Sequence, residues 1–263
     1  MVARPRPRGP AAAVITSAAY DSGLDAWLAG PEQVFDLLAG LLVDAQDWSG
    51  LVLDIGCGTG TAGRRLPARV LSVDSSVQML TVAQGHSAAV AGDLLSLPLC
   101  DGVADGAVLG FVLNHLADPV AGLREIRRVL RPGAPVAATT WAADDPRQVQ
   151  EAVETVLRRH GWRPPDWYTD FKTSASSHSD TAGLLDEAAR SAGLTSVDVA
   201  AVDVPLDLPP EALVAWRLGL PHTAPWLAGV DGGAVSEEAV AAVAALRSPT
   251  TRVLLLTASA APG

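Results

Sequence analysis

Three carboxylates and a run of glycines have the types and the spacing to do chemistry. "LDIGCGTGTAG" (53–63) carries Gly56, Gly58 and Gly60 behind the acid Asp54, and Asp74 and Asp93 follow downstream. Glycines at alternate positions after an apolar run let backbone N–H groups reach a ligand with no Cβ in the way. The stretch holds two overlapping signatures, because from Gly58 it also reads G-x-G-x-x-G, the dinucleotide turn. In that turn the first glycine follows its strand directly. Here that glycine is Gly56, which leaves Thr61 where the third should stand. The shifted reading allows only ten residues between Gly63 and Asp74 for the rest of a helix and a whole strand.

The register from Gly56 explains more residues. Asp54 suits a ligand whose charged end is an ammonium group. Asp74, twenty residues later at the end of a second strand, can hold both hydroxyls of a ribose. Asp93, after a third strand, stands where it can accept from the exocyclic amine of adenine. An ammonium, a ribose and an adenine in that order spell S-adenosylmethionine.

Alternating strands and helices must position these groups. A helix over Val34–Val43 leads into "LVLDI"; "GTAGRRL" reads as a short helix stopped near Pro67, and "RVLSVD" as the second strand. "SSVQML" opens the next helix, with Ser75 and Gln78 at capping-box spacing. "AAVAGD", "DGAVLGFVL" and "APVAATTW" read as strands three to five, with the helix "DPVAGLREIRRVLRPG" before the fifth. Continuously apolar strands imply a parallel sheet covered on both faces. Beyond Trp141 come a helix near 147–160, an aromatic loop "GWRPPDWYTDF", polar "KTSASSHSD", the helix "TAGLLDEAARSAGL", the strand "TSVDVAAVDVPL", helices at 209–220 and 235–246, and a last strand "TRVLLLTAS". The expected organisation is a disordered tail (1–15) and a single domain (16–263). That domain carries a lid and substrate insertion at about 142–194 and a further helical segment at about 209–247.

Five motifs in order, "LDIGCGTG" (53–60), "VDSSVQML" (73–80), "GDLLSLP" (92–98), "FVLNHLADP" (111–119) and "LREIRRVLRPG" (123–133), resemble the class I S-adenosylmethionine-dependent methyltransferases. The likeness is to their small-molecule branch, similar to ubiquinone and menaquinone biosynthesis methyltransferases. It covers about residues 50–141 and implies a Rossmann-like α/β fold: a seven-stranded, mostly parallel sheet with helices on both faces and its last strand antiparallel. It also implies that Gly56, Cys57, Gly58 and Gly60 give backbone access to the methionyl end of the cofactor, that Asp54 orients its amino group, and that Asp74 with Ser75 takes the ribose. Asp93 and Leu94 would hold the adenine, Met79 would pack on the purine face, Gly110 and Phe111 would border the site, and Tyr20 would close over it.

Transfer from a sulfonium needs a nucleophile held in line and water kept away. A base is needed only for some acceptors, and histidine suits neutral pH. His115 in "LNHLADP", past the fourth strand, is the catalytic candidate; His178 and His222 are alternatives on the substrate side. Trp27, Asn114, Trp141, Trp167, Tyr168, Trp216 and Trp226 complete the expected pocket, since seven of the twelve aromatic residues lie between Trp141 and Trp226.

The remaining composition narrows the partners. A net charge of −10, with one lysine and eighteen scattered arginines, opposes a nucleic-acid groove, which draws its affinity from clustered cations. Cys57 and Cys100 are too few for a disulfide framework or a cysteine metal site, and a reducing cytoplasm fits them. No stretch reaches a membrane span. The expected partner is a small, largely apolar substrate, with no nucleic acid, no membrane and no metal, and with the chain a monomer or homodimer. High Ala, Gly and Arg with almost no Lys suits bacterial natural product biosynthesis. The alternatives are a protein of this fold that binds the cofactor and catalyses a rearrangement or cyclisation without methylating, and a protein or tRNA methyltransferase.

Overall fold

The computed structural model describes residues 24–174 and 176–261. The expected tail and Tyr20 lie outside them. Two helices, α1 (Leu24–Ala29) and α2 (Pro31–Asp44), lead into strand β1 (Leu51–Ile55). They are followed by β2 (Arg69–Asp74), α3 (Val77–Ala83), β3 (Ala88–Ala91), β4 (Gly106–Gly110), α4 (Pro119–Val129) and β5 (Pro135–Trp141). The second half runs α5 (Gln148–Arg159), α6 (Asp166–Ser174), α7 (Ala182–Ser191), β6 (Leu194–Pro205), α8 (Pro210–Leu218), α9 (Ala224–Leu227), α10 (Gly232–Ala244) and β7 (Thr250–Ala260).

The seven strands form one sheet in the order β3-β2-β1-β4-β5-β7-β6. β1 to β5 pair in parallel, and β7 runs antiparallel to both of its neighbours, β5 and β6. The chain order reverses beside β1, which opens a crevice at the carboxyl ends of β1 and β4, where α/β sheets of this kind bind ligands. The central strands are apolar on both sides because both faces are covered: Leu53, Ile55, Leu109, Val136 and Leu256 pack with Leu123 and Ile126 of α4 and Leu185 of α7. On the other face Val52, Val108 and Ala137 meet Leu42 of α2 and Trp48.

Four local readings change. "GTAGRRL" yields only a 3₁₀ turn, Gly63–Arg65, because Pro67 arrives before an α-helix can propagate. The aromatic stretch read as a loop contains α6: Pro164 and Pro165 precede that helix instead of breaking it. The segment expected as one insertion divides, for α7 covers the sheet beside α4 and β6, whereas α5 packs with α8 and α10 over a second core that includes Val153, Leu157, Trp162, Leu213 and Val243.

The fourth change is at α3, whose N-cap is Ser76, one residue past the expected Ser75; its Oγ accepts from Met79 N at 3.1 Å. Losing such a cap costs about 1 kcal/mol. Ser76→Ala is therefore expected to lower the unfolding free energy by that amount, seen as a lower urea midpoint, while Ser75→Ala leaves it unchanged. Equal midpoints for the two variants would reject Ser76 as the cap.

Candidate active site

The glycine loop leaves β1 in a conformation only glycine adopts freely. Gly56, Gly58 and Gly60 have φ of +63°, +54° and +82°. Gly56 and Cys57 donate their N–H groups to Val73 O at 2.8 and 3.1 Å, which ties the loop to β2. Asp74, the last residue of β2, holds the loop from the other side: one carboxylate oxygen accepts Gly58 N at 2.8 Å and the other Ser76 N at 2.8 Å. Asp93 stands at the end of the neighbouring strand and accepts Leu95 N at 2.9 Å.

These groups border a cavity of about 720 Å³. Of the expected cofactor residues, Gly56, Cys57, Gly58, Asp74, Ser75, Met79, Asp93, Leu94, Gly110 and Phe111 line it. Gly60 does not, and serves the turn by donating to Cys57 O at 2.8 Å. Asp54 is 1% exposed and lies behind the loop, where it accepts Gly63 N at 2.9 Å; its carboxylate borders a separate small void. In this position Asp54 latches the far end of the loop. Burial pushes the Cys57 thiol well up, so it is an inert wall residue.

Burial also raises the Asp54 carboxyl to about 7, against a lowering by the Gly63 amide, with the Asp74 charge adding to the rise. A carboxyl raised on folding contributes stability that is full below its unfolded value of 3.8 and is lost as pH rises through about 7. Asp54→Asn keeps an acceptor for Gly63 and removes the titration. Moving from pH 5 to pH 8, the native protein is expected to lose about 2 kcal/mol relative to this variant in urea titrations. A constant difference between the two would show that Asp54 does not titrate in this window.

On the substrate side the cavity gathers residues from the whole chain. Trp27 stacks on Phe35 (5.0 Å), Phe35 meets Phe111 edge-on (5.4 Å), Phe111 stacks on Trp141 (4.3 Å), and Trp141 lies 6.1 Å from Trp216. Phe111 holds a φ of +56°, a non-glycine residue in the left-handed region at the carboxyl end of β4. His222 stacks on Tyr168 at 3.8 Å, and His115 on Phe171 at 5.3 Å. Asn114 Oδ1 is buried on this wall without a hydrogen bond among the described residues.

Of the other expected pocket residues, Trp167, His178 and Trp226 do not line the cavity. Trp167 sits behind Tyr168, edge-on at 5.9 Å. Phe35, Phe171, Arg147, Lys172 and Arg217 line it and were not anticipated. Phe35 sits one place after Val34 on an amphipathic helix, where its neighbours read as core, and the cations read as scattered surface charge.

His115 is partly buried on the cavity wall, and desolvation lowers its imidazole to about 4. It is neutral at physiological pH. Among the described residues no group of three or more His, Cys, Asp or Glu side chains has the arrangement to hold a metal ion, and no helix is long and apolar enough to cross a membrane.

A reversed β7 between β5 and β6, a glycine loop at the end of β1 and acids at the ends of β2 and β3 define an adenosyl-binding α/β domain of the class I methyltransferase type. Residues 53–138 match the family model described as "Methyltransferase domain". The chain is 41% identical over 86 residues to the demethylmenaquinone methyltransferase of Corynebacterium kroppenstedtii, covering 31% of this chain and 38% of that one. It is 36% identical over 133 residues to the malonyl-[acyl-carrier protein] O-methyltransferase of Pseudescherichia vulneris, covering 48% and 52%. Among solved structures, that of the [4+2]-cyclase SpnF superposes over 98% of each chain with a TM-score of 0.58 at 21% identity, a likeness of fold. The chain spans about a quarter to about half the length of these and other curated relatives it matches. Residues 53–138 thus carry a methyltransferase domain of the class I, S-adenosylmethionine-dependent kind.

The residues present fit that cofactor. A Cβ built on Gly58 meets nothing within 4 Å, so the loop offers bare backbone to the cavity it lines. Carboxylates suited to hydroxyl and amine donors stand beside it.

Proposed function

We propose that the protein transfers a methyl group from S-adenosylmethionine to a small-molecule acceptor of bacterial secondary metabolism, in the cytoplasm. The observation that carries this reading is the continuity of the cavity: one space is bordered by the glycine loop, Asp74 and Asp93 and also by the aromatic wall of Trp27, Phe111, Trp141 and Trp216. A cofactor and an acceptor can therefore meet in a single enclosure.

When bound, the cofactor supplies an electrophilic methyl on a sulfonium. The chain's own part is to bind, align and dry the reactants. Backbone of Gly56 and Gly58 takes the methionyl end, Asp74 the ribose and Asp93 the adenine edge, while Met79 and Leu94 enclose the purine. Asp54 acts indirectly by fixing the loop. The aromatic wall excludes water and holds an acceptor with a largely apolar body. Asn114 Oδ1, buried without a donor, is placed to take a hydrogen from the acceptor and so orient it.

His115, neutral and weakly basic at about 4, positions the acceptor and takes no proton at neutral pH. A limb of the pH–rate profile near 6–7 that vanishes in His115→Gln would instead make it the general base.

The test is incubation of the full chain with methyl-labelled S-adenosylmethionine and a panel of small apolar acceptors bearing O, N or activated C, with calorimetry of S-adenosylhomocysteine and NADH alongside. Label in an acceptor and micromolar S-adenosylhomocysteine binding are expected. Rearrangement of a substrate without label would assign the fold a non-methylating reaction, and binding of NADH alone would overturn the cofactor.

A further inference from the structure

Three cations from three separate elements meet on one wall of this cavity: Arg147 ahead of α5, Lys172 in α6 and Arg217 in α8. Lys172 is the only lysine in the chain. Arg217 is 7% exposed; its guanidinium interacts with the Tyr168 side chain, while its Nε and Nη2 donate to no hydrogen-bond acceptor among the described residues. The one carboxylate in ion-pairing range, Glu154, is 3.6 Å from Nη2 and already accepts Gln150 Nε2 at 2.7 Å and Arg158 Nη2 at 2.6 Å. Lys172 has no hydrogen bond or ion pair among the described residues, and Arg147 reaches only Ala143 O at 3.3 Å.

The acids on the same wall do not neutralise this group. Asp145 is turned to Arg252 N at 2.8 Å and Thr251 Oγ1 at 3.4 Å, and Asp180 and Glu154 act on Lys172 less strongly than Arg147 and Arg217 do. Lys172 is held below its usual value by burial first and then by the charges of Arg147 and Arg217, which outweigh the opposing Asp180 and Glu154. His222 is lowered by burial and then by Arg217 and Lys172, and its Nε2 is buried without a partner among the described residues. A buried guanidinium with unmet donors is costly unless an anion completes it. Nε–H and Nη2–H form the flat edge of the guanidinium that grips two oxygens at once.

We propose that Arg217, Lys172 and Arg147 form the subsite for an anionic oxygen group, a carboxylate or a phosphate, on the methyl acceptor. The inference rests on the reading that this cavity holds the acceptor. It divides the acceptor into an apolar body along the aromatic wall and a charged end at α6 and α8. In the low-dielectric enclosure that charge selects anions over neutral molecules of the same shape.

Calorimetry on the full chain saturated with S-adenosylhomocysteine, using benzoate and phenyl phosphate against benzamide and phenol, tests the idea. At least one anion is expected to bind about tenfold or more tighter than its neutral counterpart, and which anion does so identifies the group. Arg217→Gln and, independently, Lys172→Met should shrink that preference while leaving S-adenosylhomocysteine affinity unchanged. Equal binding of anion and neutral probe, or binding of neither anion, overturns the proposal. Failure of S-adenosylhomocysteine itself to bind would overturn the proposed function alone, and the probe comparison, repeated without it, still decides the subsite.

Discussion

Gly56→Ala is expected to cost the protein about 2–5 kcal/mol of stability, whereas Gly58→Ala, two residues on, costs about 1 kcal/mol and instead abolishes tight cofactor binding. Both positions have positive φ, so both variants bear the left-handed penalty. They differ in what the new methyl meets. At Gly56 it would stand 2.5 Å from Val112 Cγ2 and 2.7 Å from its Cβ, atoms anchored near the backbone at the end of β4 that cannot swing away. At Gly58 it meets open space on the cavity wall, where the methionyl end of the ligand is proposed to lie. Urea titration and S-adenosylhomocysteine calorimetry on the two variants separate stability from binding. Native affinity in Gly58→Ala would show that the open face of this loop is not the cradle.

Asp74→Ala is expected to weaken S-adenosylhomocysteine binding about 100-fold or more, equivalent to about 2.7 kcal/mol. The carboxylate does two things. It fixes Gly58 N and Ser76 N, one on each oxygen, and so holds the loop and the start of α3 in register. An ionised carboxylate, an acceptor at both oxygens, is also chemically suited to ribose hydroxyls. Alanine removes the grip and releases the loop together. Asp74→Asn, which keeps one oxygen acceptor, should fall between the native protein and Asp74→Ala. An affinity for Asp74→Ala within about threefold of native would place the ribose elsewhere.

The glycine loop and the strand-end acids that border the cavity were legible in the amino-acid order because their geometry is local. The glycines must follow a strand directly, and the acids at the ends of successive parallel strands fall on one edge of the sheet, so strand-end positions in the sequence become neighbours in space. The central strands were readable for a related reason: strands covered on both faces are continuously apolar, and the glycines and prolines between them mark the connections. Asp54 shows the limit of this reading. Its place in the motif is plain, but whether a carboxylate at the end of β1 points toward the cavity or behind the loop depends on the path of residues 56–63, and there it is tied to Gly63.

The aromatic and cationic walls of the cavity were only partly legible: Trp27, Asn114, Trp141, Tyr168, Trp216 and His222 were expected and line it, but packing between elements decided which other side chains join them. Trp27, Phe35, Phe111, Trp141 and Trp216 come from α1, α2, the end of β4, β5 and α8, and no periodicity within any one element announces that they meet. Trp226 and Trp167 belong to the same aromatic-rich half and stay off the cavity. Arg147, Lys172 and Arg217, far apart in a chain of net charge −10, come together only because α5, α6 and α8 converge. Sequence by itself determined the sheet, the cofactor loop and its carboxylates, since each depends on neighbours a few residues away or on one strand edge. Long-range packing of the helices decided which aromatic and charged side chains share the cavity, because burial and convergence depend on contacts between elements that the order of residues does not specify.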